Sequence, residues 1–179
     1  MPNKHQGNDM KKVDYLIFVA SINENMKLAH TISGELKSLG KSSEIIDIIS
    51  LQLPMYSSKA EAEDGIPECI DAHVKLMQDA QAYIVVAPEY NYSIPPSLTN
   101  FVAWVSRVGD DFRGLFNEKT ILIATFSGGG GDDVLNAMRT QFTKLGSLVI
   151  PRQILVNYKQ ILKTESLKKT LIQLIKFAS

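Results

Sequence analysis

Residues 88–92, with the sequence Pro-Glu-Tyr-Asn-Tyr, combine side chains that suit a binding site for a flat ligand. They follow an apolar run over residues 82–87, which is typical of a buried strand, and precede a helical pattern that begins at Leu98. Proline restricts the backbone of such a loop, and tyrosine rings offer flat apolar surfaces at the end of a strand. The alternative is a turn whose tyrosines only cover the core.

A second loop, residues 21–25, carries hydroxyl and amide groups and leads directly into a predicted helix. The first N–H groups of a helix have no partner within it, and the helix dipole favours an anion beside them. Ser21, Asn23 and Asn25 offer further side-chain donors, so the sequence predicts a phosphate site here. An ordinary helix N-cap, for which asparagine is a common choice, is the alternative.

A third loop contains the glycine run 128–131, which comes directly after an apolar strand pattern. Glycine has no side chain, so a ligand can approach this backbone closely. A flexible turn is the alternative. The sequence contains neither G-x-G-x-x-G nor G-x-x-x-x-G-K-[ST], and it therefore lacks the fingerprints of a Rossmann dinucleotide site and of a P-loop.

Other reactive side chains are few and lie outside these loops. His5 is in the polar N-terminal segment, and His30 and His73 fall within predicted helices. Cys69 is the single cysteine, which excludes an internal disulfide and a cysteine-rich metal site. Trp104 has the spacing of a packing or subunit-contact residue. We therefore expect no bound metal.

Apolar runs and helical patterns alternate along the chain, which predicts βαβ units and a parallel sheet with helices on both faces. Five strands in this rhythm favour the flavodoxin-like order 2-1-3-4-5, a doubly wound α/β fold whose ligand lies at the switch between strands 1 and 3. In that order the three loops meet at one edge of the sheet. The predicted strands cover residues 15–20, 44–49, 82–87, 120–126 and 147–150, and the predicted helices cover 26–39, 67–80, 98–107, 134–145 and 167–178.

We expect one domain over residues 13–179, after a disordered or tag-like lead-in of residues 1–12. Residues 51–65 show no clear periodicity and are predicted to be irregular. The formal net charge of zero leaves no basic face for nucleic acid, and no apolar run is long enough to span a membrane. The lead-in also lacks the apolar centre of a secretory signal. These features favour a cytoplasmic protein without nucleic-acid or membrane partners.

Residues 88–104 closely resemble the signature of the NAD(P)H-dependent FMN reductases. The chain reads PEYNYSIPPSLTNFVAW, and the family pattern is roughly P-E-Y-N-x-S-x-P-x-x-L-K-N-x-x-D-W. Residues 53–56 (LPMY) are similar to the L-P-x-Y segment of that family, and residues 25–29 (NMKLA) to the N-x-x-L-A at the end of its phosphate loop. The likeness covers about residues 13–151.

This resemblance implies a flavodoxin-like fold, non-covalently bound FMN, NAD(P)H as the electron donor, and a homodimer or homotetramer. Members of the family pass a hydride through FMN to small-molecule electron acceptors such as quinones, azo compounds or free flavin. The cofactor performs this chemistry, so no catalytic side chain is expected. With this resemblance we expect Ser21, Asn23 and Asn25 to hold the phosphate of FMN, with Met26 also at the cofactor site. Pro88, Glu89, Tyr90 and Asn91 are expected to line the ring, Tyr92 to cover the substrate face, and Ser127, Gly128, Gly129 and Gly130 to approach the other side of the ring.

The first loop departs from the family pattern G-S-x-R-x-x-S-x-N, since it is shorter, lacks the glycine and the arginine, and contains Glu24. Thr99 and Ala103 replace the usual lysine and aspartate of the central signature. Two other functions therefore stay open: a flavin-binding electron carrier or redox sensor without NAD(P)H turnover, and a degenerate member that binds flavin weakly. The neutral charge disfavours the carrier, because carriers of the flavodoxin type tend to be strongly acidic.

Overall fold

Strands and helices follow the predicted alternation along the chain. The structure is a computed structural model, and it describes residues 13–111 and 113–178. The predicted lead-in, residues 1–12, lies outside the described residues. The strands are β1 (Tyr15–Val19), β2 (Ser43–Asp47), β3 (Ala82–Val86), β4 (Thr120–Ser127), β5 (Leu148–Val149) and β6 (Ile154–Asn157). The helices are α1 (Glu24–Ser38), α2 (Ser58–Asp64), α3 (Glu68–Asp79), α4 (Pro96–Val105), α5 (Asp132–Lys144) and α6 (Thr164–Phe177).

The described strands form a parallel sheet in the order β2-β1-β3-β4-β5, which confirms the predicted flavodoxin-like order. β1 lies between β2 and β3, and β3 lies between β1 and β4. Parallel strands end at the same edge of their sheet. The loops that follow β1, β3 and β4 are therefore neighbours in space.

Helices cover both faces of this sheet and enclose two separate apolar layers. Leu16 and Phe18 of β1 enter the layer beneath α3, α4 and α5. Tyr15, Ile17 and Val19 enter the opposite layer, beneath α1 and α6. This two-sided burial explains why β1 is a continuous apolar run instead of an alternating one. Within the described part of the chain, no helix combines the length and apolar character of a membrane span.

The fifth position of the sheet is filled by two short strands, because β5 and β6 both pair with β4. β5 pairs with the start of β4, whereas β6 pairs with its end, where Ser127 faces Asn157. Pro151 lies between the two strands and has no N–H to contribute to the pairing. The sequence prediction ended the fifth strand at Ile150 and therefore missed β6. Through β6 the chain reaches the edge of the sheet at which the three loops lie.

α2 is a second element beyond the sequence prediction, which had its segment as irregular. Its N-terminus is capped by Ser57, whose hydroxyl oxygen accepts a hydrogen bond from the Ala60 N–H at 3.0 Å. None of its residues is buried, so it has no apolar stripe that periodicity could detect. Its Glu61 carboxylate forms an ion pair with Arg107, just beyond α4, at 2.9 Å.

The segment from Pro54 to Tyr56 docks onto α4 through two side chains. The Asn100 amide accepts a hydrogen bond from the Tyr56 N–H at 2.7 Å and donates to the Pro54 carbonyl oxygen at 3.0 Å. The Trp104 ring N–H donates to the same carbonyl oxygen at 2.7 Å, and the ring packs edge-on against Tyr56. Trp104 is buried, so it has the packing role, one of the two roles that its spacing predicted.

Asn100→Ala tests this docking. We expect the free energy of unfolding to fall by about 1–3 kcal/mol in a urea titration, because the Tyr56 N–H loses its acceptor. Thr99→Ala, at the neighbouring exposed position of α4, is the matched control and should change that free energy by less than about 0.5 kcal/mol. An equal loss in both variants would contradict the docking role of Asn100.

Candidate functional site

Side chains in or directly after these loops form hydrogen bonds that join neighbouring segments at the carboxyl edge of the sheet. The Ser97 hydroxyl, at the start of α4, donates to the Ala20 carbonyl oxygen at 3.1 Å and joins the loop after β3 to the loop after β1. Asn25 joins the loop after β1 to β4, and Glu89 joins the loop after β3 to the glycine loop. The structure therefore brings the residues predicted from the three loops together at one edge.

The loop after β1 presents a helix N-terminus suited to an anion. It ends at Asn23, whose φ of 67° and ψ of −124° are a conformation that favours glycine. No described side chain caps the N-terminus of α1, so its first N–H groups can meet an anion. Glu24 forms an ion pair with Lys27 at 2.6 Å, and this contact raises the pKa of the Lys27 amino group. Ser21 is buried at the start of the loop.

Asn25 and Met26 follow in the first turn of α1. The Asn25 side chain is 3% exposed and exchanges two hydrogen bonds with the backbone of Phe126. Met26 is half-buried and packs against the apolar layer beneath α1. The Asn25 side-chain amide is therefore engaged with β4, whereas its backbone N–H belongs to the first turn of the helix.

The loop after β3 forms a tight hairpin. Tyr90 and Ser93 exchange two backbone hydrogen bonds, of 3.1 and 3.0 Å. The central residues, Asn91 and Tyr92, have φ values of 49° and 58°, which are typical of a type I′ turn. Asparagine tolerates this left-handed backbone, whereas it is costly for tyrosine. The turn leaves the Tyr90 side chain 51% exposed and the Tyr92 side chain 79% exposed, so two rings stand at the edge of the site.

Glu89 joins this hairpin to the glycine loop and caps α5. Its carboxylate accepts hydrogen bonds from the Gly131 N–H and the Val134 N–H, both at 3.3 Å, and from the Ser127 hydroxyl at 3.4 Å. The N–H groups and the dipole of a helix N-terminus favour a carboxylate at this position. Pro88, directly before Glu89, is buried two residues after the end of β3. Glu89 therefore has the position of a helix cap that holds two loops together.

The glycine loop offers open backbone to a ligand. A Cβ atom at Gly128 or Gly130 would meet no atom within 4 Å, so a flat ring can lie against these residues. The loop ends at Gly131, whose φ of 90° explains a glycine there. Ser127 is buried, and its hydroxyl oxygen accepts a hydrogen bond from the Gly129 N–H at 3.0 Å.

A groove of about 530 Å³ lies between the glycine loop and residues 157–160, which follow β6. Tyr158 is 77% exposed there, and its ring packs edge-on against Phe126 at 5.3 Å between centroids. Because β6 lies on the side of β4 away from β3, the groove and the hairpin lie on opposite sides of the glycine loop. The sequence prediction missed these residues, although the apolar run 154–156 after Pro151 was a signal for them.

These features fit a flat ligand that carries a phosphate. The uncapped end of α1 can meet the phosphate, and the exposed rings and the open glycine backbone can meet the flat part. The strand order and this site define a flavodoxin-like α/β protein. The chain belongs to the NADPH-dependent FMN reductase family, whose model matches residues 13–160. This family binds FMN and uses NAD(P)H, as the resemblance implied.

Curated relatives share part of the chain. Over 91 residues it is 34% identical to the quinone reductase of Escherichia coli (strain K12), a match that covers 50% of this chain and 44% of that protein. Over 84 residues it is 34% identical to a 2-hydroxy-1,4-benzoquinone reductase of Burkholderia sp, which covers 46% of this chain and 43% of that protein. The matched stretch is therefore less than half of each relative's own length.

Solved structures resemble the chain along nearly all of its length. FerB, a flavoenzyme NAD(P)H:(acceptor) oxidoreductase from Paracoccus denitrificans, superposes with a TM-score of 0.71 at 17% identity, covering 93% of this chain and 95% of that chain. A flavodoxin from the domain Archaea superposes with a TM-score of 0.62 at 12% identity, covering 92% of this chain and 96% of that chain. At such identities, these likenesses show the fold.

Glu89→Ala tests the cap between the two loops. We expect the free energy of unfolding to fall by about 0.5–2 kcal/mol in urea, because the N–H groups at the start of α5 lose their acceptor. Glu89→Gln should lose less, since its amide oxygen still accepts. Glu44→Ala, at an exposed position of β2, is the matched control. A loss with Glu89→Gln as large as with Glu89→Ala would contradict capping by the side-chain oxygens.

Proposed function

We propose that the protein is an NAD(P)H-dependent oxidoreductase that passes a hydride through bound FMN to a small-molecule acceptor of the quinone type. One observation carries this proposal: an uncapped helix N-terminus lies at the same sheet edge as the tyrosine hairpin and the open glycine loop. The chain that has this arrangement belongs to the FMN reductase family. The curated relatives that are named quinone reductases support the class of acceptor.

In this proposal the N-terminus of α1 binds the phosphate of FMN, with Ser21 and Asn23 beside it. Charge compensation comes mainly from N–H groups and the helix dipole, because the nearby cation, Lys27, is already paired with Glu24. The anion site therefore needs no arginine, although it is weaker than one that has it. This geometry supports phosphate binding despite the shortened first loop.

Residues 88–92 and 127–130 hold the ring from opposite sides in this proposal. The type I′ turn fixes the backbone from which the Tyr90 and Tyr92 rings project, so this backbone reorganises little when a ring enters. Tyr92 covers the side on which the acceptor approaches. Bound FMN itself supplies the group that takes up and releases the hydride, and the chain binds, orients and shields it.

We also propose that residues 13–179 form a single domain that acts in the cytoplasm as a homodimer or homotetramer. The single cysteine supports a reducing compartment. The family resemblance supports the assembly. Exposed apolar side chains near the site, such as Tyr92 and Tyr158, offer contact surface for a second copy.

Visible spectroscopy of the purified chain tests the proposed function. After addition of FMN and removal of unbound flavin, we expect the protein to keep a flavin spectrum, which NADPH or NADH bleaches without oxygen and a quinone restores. A chain that retains no FMN would overturn the proposal in favour of a degenerate family member. Retained FMN that neither nucleotide bleaches would point to an electron carrier or sensor.

Gly128→Val tests the ring site directly. Gly128 has open space at its Cβ and lies outside the left-handed region, so valine fits the fold yet fills the space in which the ring would lie. We expect FMN affinity to fall by on the order of tenfold or more, measured by fluorescence titration. Gly34→Val, in α1 with equally open space at its Cβ, is the matched control and should bind FMN like the parent chain. Equal affinity in both variants would place the ring elsewhere.

A further inference from the structure

β4 is longer than its neighbour β3 and extends beyond it at the loop edge of the sheet. β3 pairs with β4 from Thr120 to Ala124, and residues 125–127 of β4 extend beyond that pairing. On the other side of β4, these residues remain paired with β6. On the β3 side, the backbone of residues 125–127 therefore has no neighbouring strand. These residues come directly before the glycine loop.

The side chain of Asn25 takes the place of the missing strand. Its Oδ1 accepts a hydrogen bond from the Phe126 N–H at 2.8 Å, and its Nδ2 donates to the Phe126 carbonyl oxygen at 3.0 Å. Two positions earlier, the Ala124 carbonyl oxygen accepts a hydrogen bond from the Ala87 N–H. Backbone groups two residues apart on a strand point to the same side, so Asn25 continues the pairing that β3 begins.

An amide is the side-chain group that can do this. It carries a donor and an acceptor side by side, like a peptide group, whereas a carboxylate only accepts and alanine does neither. Asn25 is 3% exposed, so water has little access to its side chain. Phe126 uses the oxygen and one of the two N–H groups of this amide, so at most the second N–H is left to offer a phosphate.

Asn25 thereby connects the two ends of the proposed flavin site. Its backbone belongs to the first turn of α1, beside the proposed phosphate position, and Phe126 directly precedes Ser127 and the glycine loop. We propose that the Asn25 side chain is a positioning residue that holds the glycine loop against the flavin ring, and is not a ligand of the phosphate. This inference rests on the proposed function and deepens it.

Riboflavin, which has the flavin ring and no phosphate, separates the two roles. Asn25→Ala should weaken the binding of FMN and of riboflavin by the same factor, on the order of tenfold, because the ring site loses its support. Both affinities are measured by fluorescence titration well below the unfolding midpoint of each variant. Loss of FMN affinity with unchanged riboflavin affinity would assign Asn25 to the phosphate and overturn the inference, as would unchanged affinity for both.

Asn25→Asp provides a second variant of nearly the same shape. It keeps an acceptor for the Phe126 N–H but turns a second oxygen toward the Phe126 carbonyl, so riboflavin affinity should fall as it does in Asn25→Ala. Asn136→Ala, an exposed helical position in α5, is the matched control and should bind both flavins like the parent chain. Riboflavin affinity in Asn25→Asp equal to that of the parent would overturn the inference.

Amide hydrogen exchange gives a readout that needs no flavin. In the flavin-free protein, the Phe126 amide should exchange faster in Asn25→Ala than in the parent chain, while amides at the centre of β3 keep their rates. Unchanged exchange at Phe126 would overturn the positioning role. A parent chain that binds neither flavin overturns the proposed function together with this inference, whereas a selective loss of FMN in the variant overturns this inference alone.

Discussion

β1 and β3 are buried along their whole length on both faces of the sheet, and the rest of the structure depends on this burial. It requires helices on both sides of the sheet, and each helical crossover returns the chain to the same starting edge. Every strand therefore points the same way, and every loop that leaves a strand begins at the same edge. Polar residues from distant parts of the chain can gather there without entering the core.

Side chains that bind backbone groups hold these loops together. Asn25 binds Phe126, Glu89 binds the start of α5, Ser97 binds Ala20, and Asn100 binds the segment at Pro54. Each of these bonds holds a segment through its backbone N–H or carbonyl group. The segment that is held can therefore carry any side chain at that position. The hairpin itself is held by the two backbone hydrogen bonds between Tyr90 and Ser93, which help to offset the cost of its left-handed backbone.

The first loop shows how the proposed anion site could persist in a changed sequence. The arginine and glycine of the family pattern are absent from this loop, and Glu24 adds a negative charge. Lys27 pairs with that carboxylate, so in the proposed site the N–H groups of α1 and the helix dipole would supply most of the attraction for the phosphate. The geometry of the helix end does not depend on the lost arginine, since it follows from the chain leaving β1 and entering α1.

The sequence by itself determined the strand order, the three loops at the sheet edge and the family. Continuous apolar runs, helical spacing and the signature from Pro88 to Trp104 are local patterns, and local patterns can be read without coordinates. The sequence did not predict β6 and α2. β6 follows a proline that interrupts the fifth strand position, and α2 buries no residue and so shows no apolar periodicity.

The partners of the site residues were decided only by the tertiary structure. Asn25 and Phe126 are 101 positions apart, and nothing near either residue in the sequence indicates the other. The cap that Glu89 provides for α5 crosses from one loop to the next in the same way. Side-chain roles of this kind arise when two parts of the chain fold against each other, because a hydrogen bond depends on the distance and direction between its groups and not on their spacing along the chain.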